Sequence, residues 1–318
     1  MTSLMRQIAR CARAAGAGLG LLIGLGDRAE AGQTYLALGD SITFGVQQDD
    51  SALDVSNGDR GYVAGYADVL AARAGGVRPN VINLAVSGET SSSFFGNGVS
   101  IAGPGASIRN TNYAAGSLPP TYTGPSPPSQ DALMLATIAA QRAAGNTIST
   151  VTLTLGANDL FAKLAQGQNP FDALDTFKTN EARLLGQIRA LLPNANLILL
   201  NYFDPYAPFT NYPDPTGPYY QLYQIAQISA LVIPALNQDI RDAAATVGAS
   251  YVDLYHPFQG RELADTYIAS GNVHPNDAGY ALISAAISVP EPGSVALLGV
   301  GLLAAAVTGR RRRARTAA

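Results

Sequence analysis

Residues 35–42 read YLALGDSI, in which an apolar run turns abruptly into Gly-Asp-Ser. The apolar part predicts a strand, so Ser41 is expected at a strand-to-helix turn on the carboxyl edge of a sheet. There the dipole and the free N–H groups of the following helix favour negative charge. Asp and Ser are also common helix N-caps, and this stretch alone favours a cap over a nucleophile.

The alternation of strand and helix continues through the body of the chain. Strands are predicted at Thr34–Leu38, Val81–Leu84, Thr150–Leu155, Asn196–Tyr202 and Ser250–Leu254. Helices are predicted at Tyr62–Ala74, Gln130–Ala144, Phe171–Leu192, Tyr219–Val247 and Asp277–Ile287. Apolar strands separated by amphipathic helices indicate an α/β fold, a single three-layer α/β/α domain with a central parallel five-stranded sheet. Sites in such sheets assemble at the strand ends.

Three further blocks stand at predicted strand ends or in a loop at the same edge. They read VINLAVSG at 81–88, LTLGAND at 153–159 and VHPN at 273–276. With the first block they resemble the SGNH (GDSL-like) serine hydrolases, and the resemblance covers essentially all of residues 33–288. It implies a flavodoxin-like fold and an esterase or lipase activity.

The resemblance also assigns roles, since Ser41, Gly88, Asn158 and His274 match the four signature residues of the family in order. Ser41 is the implied nucleophile and His274 the general base that takes its proton, as acyl transfer requires. The Ser41 and Gly88 N–H groups and the Asn158 side chain are the implied oxyanion donors. The block departs from the family at Ile42, where leucine is usual.

The choice of base lies between two histidines, and the family match selects His274. His256 is expected to be structural, because single histidines often form local hydrogen bonds. Asp40 and Asp159 are expected to order loops of the site, and Asp159 to cap a helix.

One position departs from the family in a way that affects mechanism. The family usually has aspartate three residues before the histidine, and here that residue is Gly271, followed by the neutral Asn272. The imidazole therefore lacks the carboxylate that normally fixes its tautomer. Three outcomes are open: a backbone carbonyl orients the ring, a displaced acid such as Asp265 or Glu262 reaches it, or activity is lost. The first two are favoured because the four blocks are intact.

The two ends of the chain predict export. Residues 1–31 combine a basic start (Arg6, Arg10 and Arg13), a short apolar stretch and Ala29-Glu30-Ala31, the pattern of a cleaved signal peptide. In residues 290–318, Pro290-Glu291-Pro292, a short apolar span and an Arg cluster resemble the PEP-CTERM sorting tail of Gram-negative bacteria. That resemblance implies processing by an exosortase, membrane attachment through the tail before processing, and delivery to the envelope, the surface or the extracellular matrix. A plain C-terminal anchor is the alternative.

Charge and composition exclude several functions of the hydrolase domain expected at 32–289. Without the two ends, the chain has 11 basic and 20 acidic residues, which argues against nucleic-acid binding. The only cysteine, Cys11, lies in the signal segment, so the mature protein is expected to have no disulfide and no thiol nucleophile. We expect no metal and no cofactor.

Two functions remain open. The first is ester hydrolysis of a small molecule, a lipid or an acylated glycan. The second is a non-catalytic surface or matrix binding protein on the same scaffold. Two long loops, 91–129 and 204–220, are unusual for such a fold. The aromatic residues of the second loop are expected either to hold substrate or to pack within the loop.

Overall fold

The computed structural model describes residues 32–47, 61–97 and 129–289. The predicted signal segment at 1–31 and the predicted tail at 290–318 lie outside these residues. So does most of the loop predicted at 91–129.

A parallel sheet forms the centre of the described chain. Its five strands are β1 Gln33–Gly39, β2 Asn80–Asn83, β3 Thr147–Thr154, β4 Asn196–Leu200 and β5 Ser250–Val252. Every neighbouring pair is parallel and the spatial order is β2-β1-β3-β4-β5. The predicted parallel five-stranded sheet is therefore confirmed.

The helices of the described ranges include all five that were predicted. They are α1 Ser41–Phe44, α2 Gly61–Arg73, α3 Ser91–Phe94, α4 Gln130–Ala143, α5 Ala157–Ala165, α6 Leu174–Leu191, α7 Tyr220–Val247, α8 Tyr255–Phe258, α9 Glu262–Asp265 and α10 Asp277–Ser288. The helix predicted at Phe171–Leu192 is divided, because Pro170–Ala173 forms a separate 3-10 turn before α6. Within the described ranges, no helix has the length and apolar character to cross a membrane.

Helices cover both faces of the sheet. The inner strands β1, β3 and β4 are buried at almost every position, as expected for strands covered on two sides. Helix α2 packs against α10, and α6 packs against α7. Right-handed crossovers place these two pairs on opposite faces, which gives the predicted three-layer α/β/α arrangement.

The strand order determines where a site forms. From β1 the chain moves to β2 on one side, and it then returns past β1 to β3 on the other. The crevice at the carboxyl ends of β1 and β3 is thus the topological switch point of the sheet, where ligands bind in open α/β folds.

Candidate active site

A pocket of about 300 Å³ lies at this switch point. Ser41, Gly88, Asn158 and His274 all line it. Ser41 follows β1, Gly88 lies in the loop after β2, Asn158 is in the first turn of α5 after β3, and His274 precedes α10. The fold therefore brings together the four residues selected from sequence, although Gly88 and His274 are 186 positions apart in the chain.

Ser41 is the first residue of α1, and it is 8% exposed. Helix α1 is only four residues long and ends at Gly45, so the expected dipole of a following helix is reduced to local N–H groups. Within the described residues, neither the Ser41 N–H nor its hydroxyl has a hydrogen-bond partner. Both groups are therefore available to a substrate.

Asp40 is the N-cap of α1 and is buried next to Ser41. Its carboxylate accepts hydrogen bonds from the Tyr202 hydroxyl at 2.5 Å, the Ile42 N–H at 3.0 Å and the Thr154 hydroxyl at 3.1 Å. Burial raises the pKa of Asp40 to about 6, although these hydrogen bonds oppose the shift. The expected structural role of Asp40 is confirmed, because it joins the ends of β1, β3 and β4.

In the loop after β2, Gly88 has a φ of +73°, a left-handed backbone conformation that residues other than glycine rarely adopt. Within the described residues, the Gly88 N–H has no acceptor. The neighbouring carbonyl of Glu89 accepts a hydrogen bond from Asn158 Nδ2 at 2.9 Å. This bond uses one of the two amide hydrogens of Asn158 and fixes its side chain beside Gly88.

A buried hydrogen-bond network supports this loop from below. Gln130 Oε1 accepts a hydrogen bond from the Gly39 N–H at 2.7 Å. Gln130 Nε2 donates to the Gly39 carbonyl at 2.9 Å and to Glu89 Oε2 at 3.1 Å. Ser93 donates to the other oxygen of the Glu89 carboxylate. The end of β1 and the Gly88 loop are thereby held in one frame.

Asp159 ties α5 to the next segment of the same loop. Its two carboxylate oxygens accept from the Ser91 N–H at 2.8 Å and from the Ser91 hydroxyl at 2.6 Å. Burial raises the pKa of Asp159 to about 6, against the effect of both hydrogen bonds. Asp159 thus orders a loop as expected, and it binds the first residue of α3 rather than capping its own helix.

The signature geometry agrees with a comparison of the sequence against protein families. Residues 37–282 match the model of the GDSL-like Lipase/Acylhydrolase family. The chain belongs to this family. Residues 288–313 match the PEP-CTERM protein-sorting motif, which supports a secreted, hydrolase-type protein. A search of curated proteins gave no match.

Two solved structures are similar to this chain. A putative GDSL-like lipase from Parabacteroides merdae is 16% identical, with a TM-score of 0.49 over 80% of this chain and 93% of that one. Axe2, an acetylxylan esterase from Geobacillus stearothermophilus, is 17% identical, with a TM-score of 0.48 over 81% and 93%.

The environment of His274 departs from what the sequence predicted for this GDSL-like family member. Nδ1 of the ring lies 2.6 Å from Asn272 Oδ1. Within the described ranges, the partner of Nδ1 is this side-chain amide and not one of the two favoured candidates, a backbone carbonyl or a displaced acid. The Asp265 carboxylate pairs with Arg261 at 2.5 Å, and the Glu262 carboxylate accepts from backbone N–H groups of its own turn.

The reason for this departure is the backbone at Gly271. Gly271 has a φ of +83° and ends the 3-10 turn Ile268–Ser270, so the position of the usual aspartate is used to reverse the chain. Asn272 follows this reversal, and its side chain folds back onto His274. Among the hydrogen bonds of the described residues, none joins the Ser41 hydroxyl to His274. Such contacts are often long before substrate binds.

Apolar and aromatic side chains form much of the remaining pocket wall. They come from α5, the segment after β4, α7 and the loop before α10: Phe161, Phe203, Pro205, Tyr206, Ile233 and Val273. Tyr206 contacts Phe161 edge to face, with centroids 6.3 Å apart. Phe209, Tyr212 and Tyr219 instead pack on one another within the loop. The expected packing within the loop is therefore confirmed, whereas Tyr206 lines the pocket and its contact with substrate stays a prediction.

His256 lies outside this pocket. It lines a separate depression, and its Nδ1 pairs with Asp253 Oδ2 at 2.5 Å. Burial alone would raise the pKa of Asp253, but hydrogen bonds from His256 and Asn201 lower it below the usual value. The local, structural role expected for His256 is confirmed.

Sequence reasoning missed several residues that shape the site. Tyr202 and Gln130 lie far from the signature blocks in sequence, and Glu89 directly follows the block 81–88; their side chains meet the site only through the tertiary fold. Asn272 carried a local signal, since Asn often bonds the N–H two residues onward. Within the described ranges, no group of three or more His, Cys, Asp or Glu side chains is placed to hold a metal ion.

Proposed function

We propose that the protein is an exported carboxylic ester hydrolase that works through an acyl-enzyme on Ser41, with His274 as general base. The observation that carries this proposal is the convergence of Ser41, Gly88, Asn158 and His274 on one pocket. Membership of the GDSL-like Lipase/Acylhydrolase family supports ester hydrolysis as the reaction class.

The proposed reaction has two acyl transfers. Ser41 Oγ attacks the ester carbonyl while His274 Nε2 takes the hydroxyl proton. The tetrahedral intermediate collapses, the bond to the alcohol breaks, and His274 returns the proton to the departing alcohol. Water then attacks the acyl-enzyme with His274 again as base, which releases the acid and restores Ser41.

The negative oxygen of each intermediate requires donors that are already in place. The Ser41 and Gly88 N–H groups, which have no acceptor within the described residues, are suited to this role. The second amide hydrogen of Asn158 supplies a third donor, since the first is held by the Glu89 carbonyl at 2.9 Å. All three donors are neutral, so none loses a proton to the alkoxide.

The apolar wall indicates which part of the substrate the pocket accepts. Phe161, Tyr206 and Ile233 form a surface beside Ser41 that cannot hydrogen-bond a sugar hydroxyl at most of its atoms. We expect the acyl chain of the ester to lie against it, because each buried methylene contributes about 0.8 kcal/mol. The alcohol would then leave toward solvent.

The place of action follows from the ends of the chain. The PEP-CTERM motif at 288–313 supports export to the cell envelope of a Gram-negative bacterium. We propose that residues 1–31 direct secretion, that the tail at 290–318 holds the protein in the membrane, and that an exosortase then processes it.

Hydrolysis of short-chain p-nitrophenyl esters tests the proposal. We expect the purified protein to hydrolyse p-nitrophenyl butyrate and Ser41→Ala to lose that activity while remaining folded. Ser270→Ala, at an exposed residue of the 3-10 turn Ile268–Ser270, is the control and should retain activity. Equal, negligible rates in wild type and Ser41→Ala would reject the enzyme and favour the non-catalytic binding protein.

A further inference from the structure

The amide oxygen of Asn272 accepts two hydrogen bonds from the same residue. The His274 backbone N–H lies 3.0 Å from Asn272 Oδ1, and His274 Nδ1 lies 2.6 Å from it. A backbone N–H can only donate, so the amide atom facing it must be the oxygen and not the NH₂ group. The same oxygen therefore requires Nδ1 to carry a proton.

This protonation state decides what the ring can do. A neutral imidazole with its proton on Nδ1 has its lone pair on Nε2. That nitrogen is then the one able to accept a proton from Ser41. In serine proteases, an asparagine in place of the triad aspartate costs about 10⁴ in kcat because it imposes the wrong tautomer. Here the His274 N–H turns the amide oxygen toward the ring and avoids that outcome.

The backbone around His274 is held on both sides. Its carbonyl accepts from the Tyr267 N–H at 3.0 Å, and Pro275 forms a bridge with Thr266. The Asn276 N–H donates to the Asp265 carbonyl at 3.0 Å. The backbone of His274 is therefore fixed, and the hydrogen bond from Nδ1 to Asn272 restrains rotation of the imidazole ring.

We propose that Asn272 is the positioning residue of the active site, an uncharged replacement for the aspartate missing at Gly271. This inference rests on the proposed function, since it assigns the group through which His274 acts as base. A neutral amide oxygen fixes the tautomer but stabilises the charged ring less than a carboxylate does. An aspartate at position 272 would therefore stabilise the charged ring more than this asparagine does.

The variants that test this proposal change position 272 and leave the other titratable groups near the His274 ring in place. Those of the described residues that line the pocket or stand next to the His274 segment include Asp40, Tyr202, Tyr206, Tyr267, Asp265 with Arg261, and Asp277. A shift between variants at position 272 is therefore attributable to that position.

The kinetic test compares pH profiles of p-nitrophenyl butyrate hydrolysis in the full protein. For Asn272→Ala we expect kcat to fall about 10- to 100-fold with KM changed by less than about twofold, as for the loss of a hydrogen bond to a charged group. For Asn272→Asp, which preserves both acceptor contacts, we expect activity to be retained and the acidic limb of kcat/KM to move upward by about one pH unit. Ser270→Ala should match the wild type.

A spectroscopic test detects the tautomer of His274 independently of catalytic activity. With ¹⁵N-labelled histidine and His256→Gln as background, His274 should show the Nδ1–H tautomer, and Asn272→Ala should lose it. Folded Asn272→Ala with an unchanged tautomer, or with unchanged kcat and pH profile, would overturn the proposal. If the wild type hydrolyses no ester yet the tautomer depends on Asn272, the proposed function fails and the positioning role stands.

Discussion

Replacing Asn158 with alanine separates the catalytic part of the site from its structural support. Asn158 Nδ2 holds the Glu89 carbonyl at 2.9 Å, and its other amide hydrogen is assigned to the oxyanion. Loss of one oxyanion donor costs about 3 kcal/mol in the transition state, which is a 100- to 1000-fold fall in kcat. KM should change little, because the interaction strengthens only as charge develops.

The structural cost of the same substitution is smaller. A lost hydrogen bond to a partly exposed amide destabilises the fold by about 1 kcal/mol. A domain of ordinary stability, about 5–15 kcal/mol, remains almost entirely folded after that loss. Unfolding therefore cannot account for a 100-fold fall in kcat.

The assay is steady-state hydrolysis of p-nitrophenyl butyrate beside urea unfolding of the same preparations. Asn158→Asp is the matched variant, because it keeps the size of the side chain but replaces the donor with a negative oxygen. It should lose at least as much kcat as Asn158→Ala. A fall of less than about fivefold in folded Asn158→Ala would refute the assignment of this amide to the oxyanion.

Three further predictions concern other parts of the molecule. Burial, together with the negative charge of Asp239, raises the pKa of Glu181 to about 8, so the folded state keeps the proton of Glu181 and loses stability as pH rises from about 5 to 8. In urea unfolding, the free energy of unfolding of Glu181→Gln should equal that of the wild type near pH 5 and exceed it by roughly 2–4 kcal/mol at pH 9. A difference that does not change with pH would contradict this. His256→Gln should retain full esterase activity, because His256 lies outside the pocket of Ser41. A large fall in kcat would show that the general base had been assigned to the wrong histidine. Tyr206→Ala should reduce kcat/KM more for hexanoyl than for acetyl p-nitrophenyl esters, and an equal loss for both would remove this side chain from the acyl wall.

The sheet and its helices were predictable because their hydrophobic pattern repeats over many residues. Strand β1 and helix α7 agree with their predicted ranges to within about two residues. Helix α5 was not predicted, since it is short and begins inside a signature block at Ala157. The 3-10 turn before α6 was missed because proline starts a helical turn as readily as it precedes a helix.

The site was predictable where a residue lies directly after a strand. Parallel strands bring their carboxyl ends to one edge, so Ser41 and Asn158 were expected at the same edge once the sheet was recognised. The partner of His274 depended instead on a single backbone dihedral, the left-handed φ of Gly271. A pattern of residue types does not encode that turn, and it moved the acceptor from position 271 to Asn272.

Covalent labelling by a fluorophosphonate tests most directly whether Ser41 is a nucleophile activated by His274. The reagent reacts only with an activated serine, and peptide mass spectrometry identifies the residue that carries it. We predict one phosphonyl group on Ser41 in the wild type, none in Ser41→Ala, and labelling slowed at least 100-fold in His274→Ala. An unlabelled wild type, or equal labelling with and without His274, would contradict the account.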